Sequence, residues 1–187
     1  MKLNYYRDSW PLSPEVCPCD LHFVCYIKEN RVQEKAIFHF GTGEHHLVGR
    51  ENAKLIKPNE ILGITASMKE YISYIDLIVN NPILARTYKV IFADIYTLTP
   101  KVIATFDLVT LFHLCEFYDL VNSAYAQLND DSLLKLFLAK LNPEGKILLY
   151  GKSDGAKEAQ VIVKRFMDRH ELVYEGQFKS LLVYRRV

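Results

Sequence analysis

The chain has 187 residues, half of them hydrophobic, and its 23 basic and 22 acidic side chains leave a formal net charge of +1. That length buries a sizeable core within one domain, and so balanced a charge gives no electrostatic grip on nucleic acid. No apolar run is long enough to span a bilayer, and the N-terminus lacks the apolar stretch of a signal peptide, so a cytoplasmic setting is expected.

Residues 1–20 carry Tyr5, Tyr6 and Trp10 with Pro11, Pro14 and Pro18, and read as an irregular arm. A short helix is expected over 21–30, so arm and helix fill 1–30 and the core of a single domain fills 31–187. Residues 36–40 form a buried apolar strand running into Gly41-Thr42-Gly43, after which 44–55 reads as helix and Lys57-Pro58-Asn59 as its stop. A second strand is expected over 60–64. Ser67-Met68-Lys69-Glu70 has the pattern of a capping box, with the glutamate reaching back to the serine amide, so a helix starts at about 68. Met68, Tyr71, Ile72, Ile75, Ile78 and Val79 fall at three- and four-residue intervals and give that helix one apolar face.

Strands over 88–93 and 106–112 end near Asp94 and His113, and helices are expected over 118–128 and 132–141, separated by Asn129-Asp130-Asp131. Asn142-Pro143-Glu144-Gly145 reads as a turn before a strand over 146–150. Ala159, Ile162, Val163 and Phe166 mark a further amphipathic helix, and strands over 171–176 and 181–184 close the chain as a hairpin. Strands separated by helices long enough for crossovers imply an α/β, Rossmann-like three-layer sandwich. Its sheet is seven-stranded and mostly parallel, with one antiparallel strand from the terminal hairpin. Ligands in such a sheet bind beyond the strand ends where the strand order reverses, so Gly41 to Gly43, Thr65, Asp94 and His113 are expected to converge.

Cysteines stand at 17, 19, 25 and 115, without paired C-x-x-C motifs, and read as reduced thiols. Cys17-Pro18-Cys19 has the chemistry for a metal or a strained disulfide but departs from the usual zinc spacings. His45 and His46 with Glu44, His39 and His113 offer metal-ligand chemistry, yet adjacent histidines on a helix diverge too far to share an ion. No metal centre is expected.

From about Ala36 onward the chain resembles the class I S-adenosylmethionine-dependent methyltransferases. Phe40-Gly41-Thr42-Gly43 is similar to their glycine loop, and Phe92-Ala93-Asp94-Ile95 to the end of their third strand, where an aspartate meets the adenine amino group. Thr105-Phe106-Asp107-Leu108-Val109-Thr110 resembles their fourth strand, and 141–147 the turn before the fifth. The resemblance implies S-adenosylmethionine as cofactor and S-adenosylhomocysteine as product. It places His39, Gly41, Thr42, Gly43, Thr65, Asp94 and Ile95 around the cofactor, with Asp107 mainly structural. Two acids of the family pattern are missing. His39 stands where an acid usually precedes the glycine loop, and Thr65 follows the second strand where an acid usually holds the ribose hydroxyls.

Methyl transfer from a sulfonium needs mainly orientation, because the leaving thioether is already activated. Where an acceptor must lose a proton, His113 is the residue expected to act as base, with Glu116, Tyr118 and Trp10 as substrate contacts. The expected activity is methyl transfer to a small-molecule acceptor. Two other readings stand beside it: a methyltransferase-fold binding or interaction module without cofactor affinity, and an unrelated nucleotide binder on the same sheet.

Overall fold

A computed structural model describes residues 6–187; Tyr5 of the arm lies outside them. The elements run α1 (Cys19–Glu29), β1 (Ala36–Phe40), α2 (Leu47–Asn52), β2 (Glu60–Thr65), α3 (Met68–Asn80), β3 (Tyr88–Phe92), β4 (Phe106–Thr110), α4 (Asp130–Ala139), β5 (Leu141–Tyr150), α5 (Ala156–Asp168), β6 (Leu172–Phe178) and β7 (Leu181–Arg186). They build the expected mixed sheet of seven strands in the order β3-β2-β1-β4-β5-β7-β6. Pairings are parallel from β3 through β5, and β7 runs antiparallel to both its neighbours.

Neighbouring strand residues face opposite layers, so the central strands are apolar on both sides. Phe38, Val109 and Ile147 pack with Leu133 and Phe137 of α4 and Phe166 of α5. Ile37, Leu108 and Leu148 pack with Phe23 of α1, Val48 of α2 and Tyr74 of α3. Strand order reverses between β1 and β4, which leaves a crevice beyond their carboxyl ends.

Three local expectations needed revision. The helix expected over 44–55 is only Leu47–Asn52, because His46 takes a left-handed conformation (φ 47°) and the His45 ring accepts the Leu47 amide at 3.1 Å. No helix forms over 118–128. The Asp119 carboxylate accepts the Val121 and Asn122 amides, and the Asn122 side chain bonds Phe117 O and the Asp119 amide, so polar side chains satisfy the backbone in turns and one short 3₁₀ segment at Asn122–Ala124. The turn expected at 142–145 lies inside β5 as an irregularity. Phe106 pairs with Leu141 while Leu108 pairs with Lys146, and Glu144 turns through φ 62°.

Gly49 brings α2 onto β3: a Cβ there would lie 2.4 Å from the Tyr88 ring, which is buried and cannot retreat. Gly49→Ala is therefore expected to destabilise the fold by about 1–3 kcal/mol through overpacking. Urea unfolding checks it; an unchanged midpoint would contradict this close approach.

Candidate active site

Where β1 ends, the backbone bends through two left-handed glycines, Gly41 (φ 81°) and Gly43 (φ 56°), a conformation that costs glycine little. The Gly41 amide donates to Ile64 O at 3.1 Å and fixes the bend to β2. The Glu44 amide donates to Trp10 O at 3.2 Å and draws the arm across the opening. Beneath it is a cavity of about 290 Å³ that both Gly41 and Gly43 line, together with Thr65, Asp94, Ile95 and His113. The expected convergence beyond the strand ends is present.

Asp94 sits in extended backbone two residues beyond β3. Its Oδ1 accepts the Tyr96 amide at 2.9 Å and its Oδ2 accepts the Tyr125 hydroxyl at 2.6 Å, which fixes the carboxylate at the cavity wall. A carboxylate has about four lone-pair sites, so two acceptor positions remain for a ligand.

Thr65 ends β2 and does not stand alone. Its hydroxyl donates at 2.7 Å to Glu70 Oε2, the same oxygen that the Thr42 hydroxyl approaches at 3.3 Å, while the Trp10 amide donates to Glu70 Oε1 at 3.2 Å. Only half the expected capping box forms. Ser67 Oγ accepts the Glu70 amide, but the Ser67 amide donates to Thr65 Oγ1 at 3.0 Å, so the Glu70 carboxylate is released toward the cavity, which it lines at 2% exposure. Burial pushes its pKa up, partly offset by the bonds from Thr65, Trp10 and Thr42.

His39 corrects an expectation of contact: it does not line the cavity. Its ring is buried beside Phe23 and Phe112, with Nδ1 2.8 Å from Thr110 Oγ1 and Nε2 3.5 Å from Asp20 Oδ1. Asp20, on the first turn of α1, does line it, and its other oxygen lies 3.8 Å from His45 Nε2. Burial raises the Asp20 pKa, but attraction to the His39 and His45 rings outweighs that and leaves it below the ordinary carboxylate value. Thr42 also stays out of the lining, its hydroxyl turned to Glu70.

His113, expected as a base, joins a cluster. Cys17 Sγ and Cys19 Sγ are 3.3 Å apart, each is 3.9 Å from His113 Nε2, and His113 Nδ1 is 2.9 Å from Glu116 Oε2. The bond from Cys19, opposed by burial and aided by His113, lowers the Cys17 pKa to about 5, whereas the same bond and burial raise that of Cys19. Burial pulls the His113 pKa down, but the bonds to Cys17 and Glu116 prevail and lift it to about 10. Glu116 and Trp10, expected as substrate contacts, line the cavity. Tyr118 does not; its ring packs edge-on against Tyr96 at 5.2 Å.

No protein-family model and no curated protein sequence matches the chain. Solved structures do, at the level of fold. Magnesium protoporphyrin IX methyltransferase (ChlM) from Synechocystis PCC 6803, with bound SAM, is 9% identical with a TM-score of 0.61 over 91% of this chain and 79% of its own. TrmN from Thermus thermophilus is 14% identical with a TM-score of 0.58 over 87% of this chain, which spans only 47% of TrmN. The cyclase SpnF gives a TM-score of 0.60 at 13% identity over 91% of this chain and 64% of its own. The fold is that of the class I S-adenosylmethionine-dependent methyltransferases.

Behind the glycine bend His46 is 1% exposed, with Nδ1 3.0 Å from the Tyr88 hydroxyl and Nε2 3.0 Å from Glu70 O, and burial pushes its pKa down to about 4. Between pH about 6.5 and about 4 the unfolded imidazole takes a proton that the folded one refuses, so stability falls as pH drops through that window, by up to about 3 kcal/mol. Urea unfolding at pH 7 and pH 4.5 is expected to show this loss, smaller in His46→Gln. Equal losses in both proteins would contradict it.

Proposed function

We propose that this cavity binds S-adenosylmethionine and that the protein transfers its methyl group to a small-molecule acceptor. One observation carries the reading: the left-handed bend at Gly41 and Gly43 and the Asp94 carboxylate line the same cavity at the strand-order reversal. The donor set suits a ligand that presents a sulfonium, an ammonium, two ribose hydroxyls and an adenine amino group. Asp20 supplies negative charge beside the bend, Glu70 and Thr65 offer acceptors at the end of β2, and Asp94 with Ile95 forms the wall beyond β3. The volume lies at the small end of small-molecule sites, about 300–1,000 Å³.

When bound, the cofactor supplies a methyl group already activated on sulfur. The task left to the protein is to hold donor and acceptor in line and to keep water out. Trp10 and Phe117, in edge contact at 6.0 Å, form an apolar flank for the acceptor, and Glu116 contributes a polar one. Cys17 and His113 face the same cavity beside this flank. Four free cysteines support a reducing, cytoplasmic setting. No helix among the described residues is long and apolar enough to cross a membrane.

A thermal melt with S-adenosylmethionine or S-adenosylhomocysteine tests the binding half of the proposal. Ligand at about 100 times its dissociation constant adds about 2.7 kcal/mol, which at about 2–4 °C per kcal/mol raises Tm by roughly 5–10 °C. Asp94→Ala is expected to remove most of that rise. No rise at millimolar ligand would overturn the reading and favour a binding module that has lost the cofactor.

A further inference from the structure

We propose that Cys17, Cys19 and His113 form a three-ligand zinc site whose fourth position opens into the cavity. Sequence spacing speaks against a metal, because C-x-C lacks a second pair; the fold supplies the missing ligand from 94 residues away, in the segment that follows β4. Among the described residues these three present ligand atoms that all lie within 4.8 Å of one another.

The geometry fits the ion. Tetrahedral bonds of about 2.3 Å to sulfur and about 2.0–2.1 Å to nitrogen require edges of roughly 3.8 Å between sulfurs and roughly 3.6 Å from sulfur to nitrogen. The observed edges are 3.3, 3.9 and 3.9 Å, within about half an ångström of that figure, a gap that small side-chain rotations close. Two soft thiolates and one imidazole are a donor set for zinc, and unsuited to magnesium or calcium, which take oxygen ligands.

The surroundings are also those of a metal-binding histidine. His113 Nε2 faces both sulfurs, while Nδ1 is bonded to the Glu116 carboxylate at 2.9 Å, the arrangement that fixes the tautomer and orients the ring. Coordination involves no electron transfer. The cysteines bind as thiolates and the ring through its Nε2 lone pair, and the displaced thiol and ring protons pass to solvent. Two thiolates and one divalent ion leave a neutral cluster, which suits its part-buried position.

The backbone holds two of the ligands in place. The Cys17 amide donates to Ser13 O at 2.8 Å, Pro18 restricts the link, and α1 starts at Cys19. The third stands against the glycine bend, since a Cβ on Gly41 would lie 4.0 Å from His113 Cδ2. All three residues line the cavity, so three protein ligands leave one coordination position for a molecule entering from it, the pattern of open zinc sites.

The test uses the full chain, reduced with a phosphine, stripped with a chelator and titrated with Co²⁺ as the spectroscopic stand-in for zinc. One equivalent is expected to produce a thiolate-to-cobalt charge-transfer band and the intense visible bands of a tetrahedral site, both abolished by one equivalent of Zn²⁺. Cys17→Ser, Cys19→Ser and His113→Gln are each expected to weaken or remove these bands. Cys25→Ser, a control away from the cluster, keeps them. Glu116→Gln keeps the spectrum but binds about 10- to 100-fold more weakly. Absence of a charge-transfer band in the reduced wild-type chain, including a chain that re-forms a Cys17–Cys19 disulfide instead, would overturn the proposal. So would a band unchanged in both Cys17→Ser and Cys19→Ser. The readout needs no methyl donor, so it stands or falls independently of cofactor binding.

Discussion

A single buried carboxylate ties the site together. Glu70 rises from the first turn of α3 and accepts from Thr65 at the end of β2, from Thr42 in the glycine bend and from the Trp10 amide in the arm. Hydrogen bonds to a charged group are worth about 1.5–3 kcal/mol each, more than neutral ones, and leaving such a group unpaired in the interior is costly. The constraint therefore acts on four segments at once. It fixes where the bend sits relative to β2, holds the arm over the cavity, and keeps a carboxyl group at the cavity wall.

Beside Asp94, two carboxylates reach the cavity from helices. The positions before the glycine bend and at the end of β2 carry His39 and Thr65, neither of them an acid. Asp20 reaches one region from α1 and Glu70 reaches the other from α3, and both line the cavity. His39, which as an exposed cation would repel a sulfonium, is instead buried and set against Asp20 at 3.5 Å. A ligand is sensitive to the location of a carboxylate and not to which strand or helix supplies it, so Asp20 and Glu70 are available to the proposed cofactor although positions 39 and 65 carry no acid.

The strands and the sheet's mixed character were legible because burial on both faces forces apolar runs at β1, β4 and β5, and turn residues bound each run. Gly41, Gly43 and Asp94 were legible because strand ends meet at a sheet's switch point whatever the side chains do. Less was visible where one polar side chain chose between local and distant partners. Glu70 carries the pattern of a cap, and only the competing bond from the Ser67 amide to Thr65 Oγ1 shows why it points elsewhere. Asp119 and Asn122 bond their own backbone and replace an expected helix with turns. Cys17, Cys19 and His113 are joined by chain topology alone, so no spacing rule could have found the third member.

The most direct test of the Glu70 carboxylate's role is calorimetric affinity for S-adenosylhomocysteine in three proteins: wild type, Glu70→Gln, and Glu70→Gln combined with Thr65→Asp. The account predicts that Glu70→Gln binds about ten-fold more weakly, the difference between a charged and a neutral acceptor, and that adding Thr65→Asp recovers most of the loss. Wild-type affinity in Glu70→Gln, or a combined variant no better than Glu70→Gln alone, would contradict it.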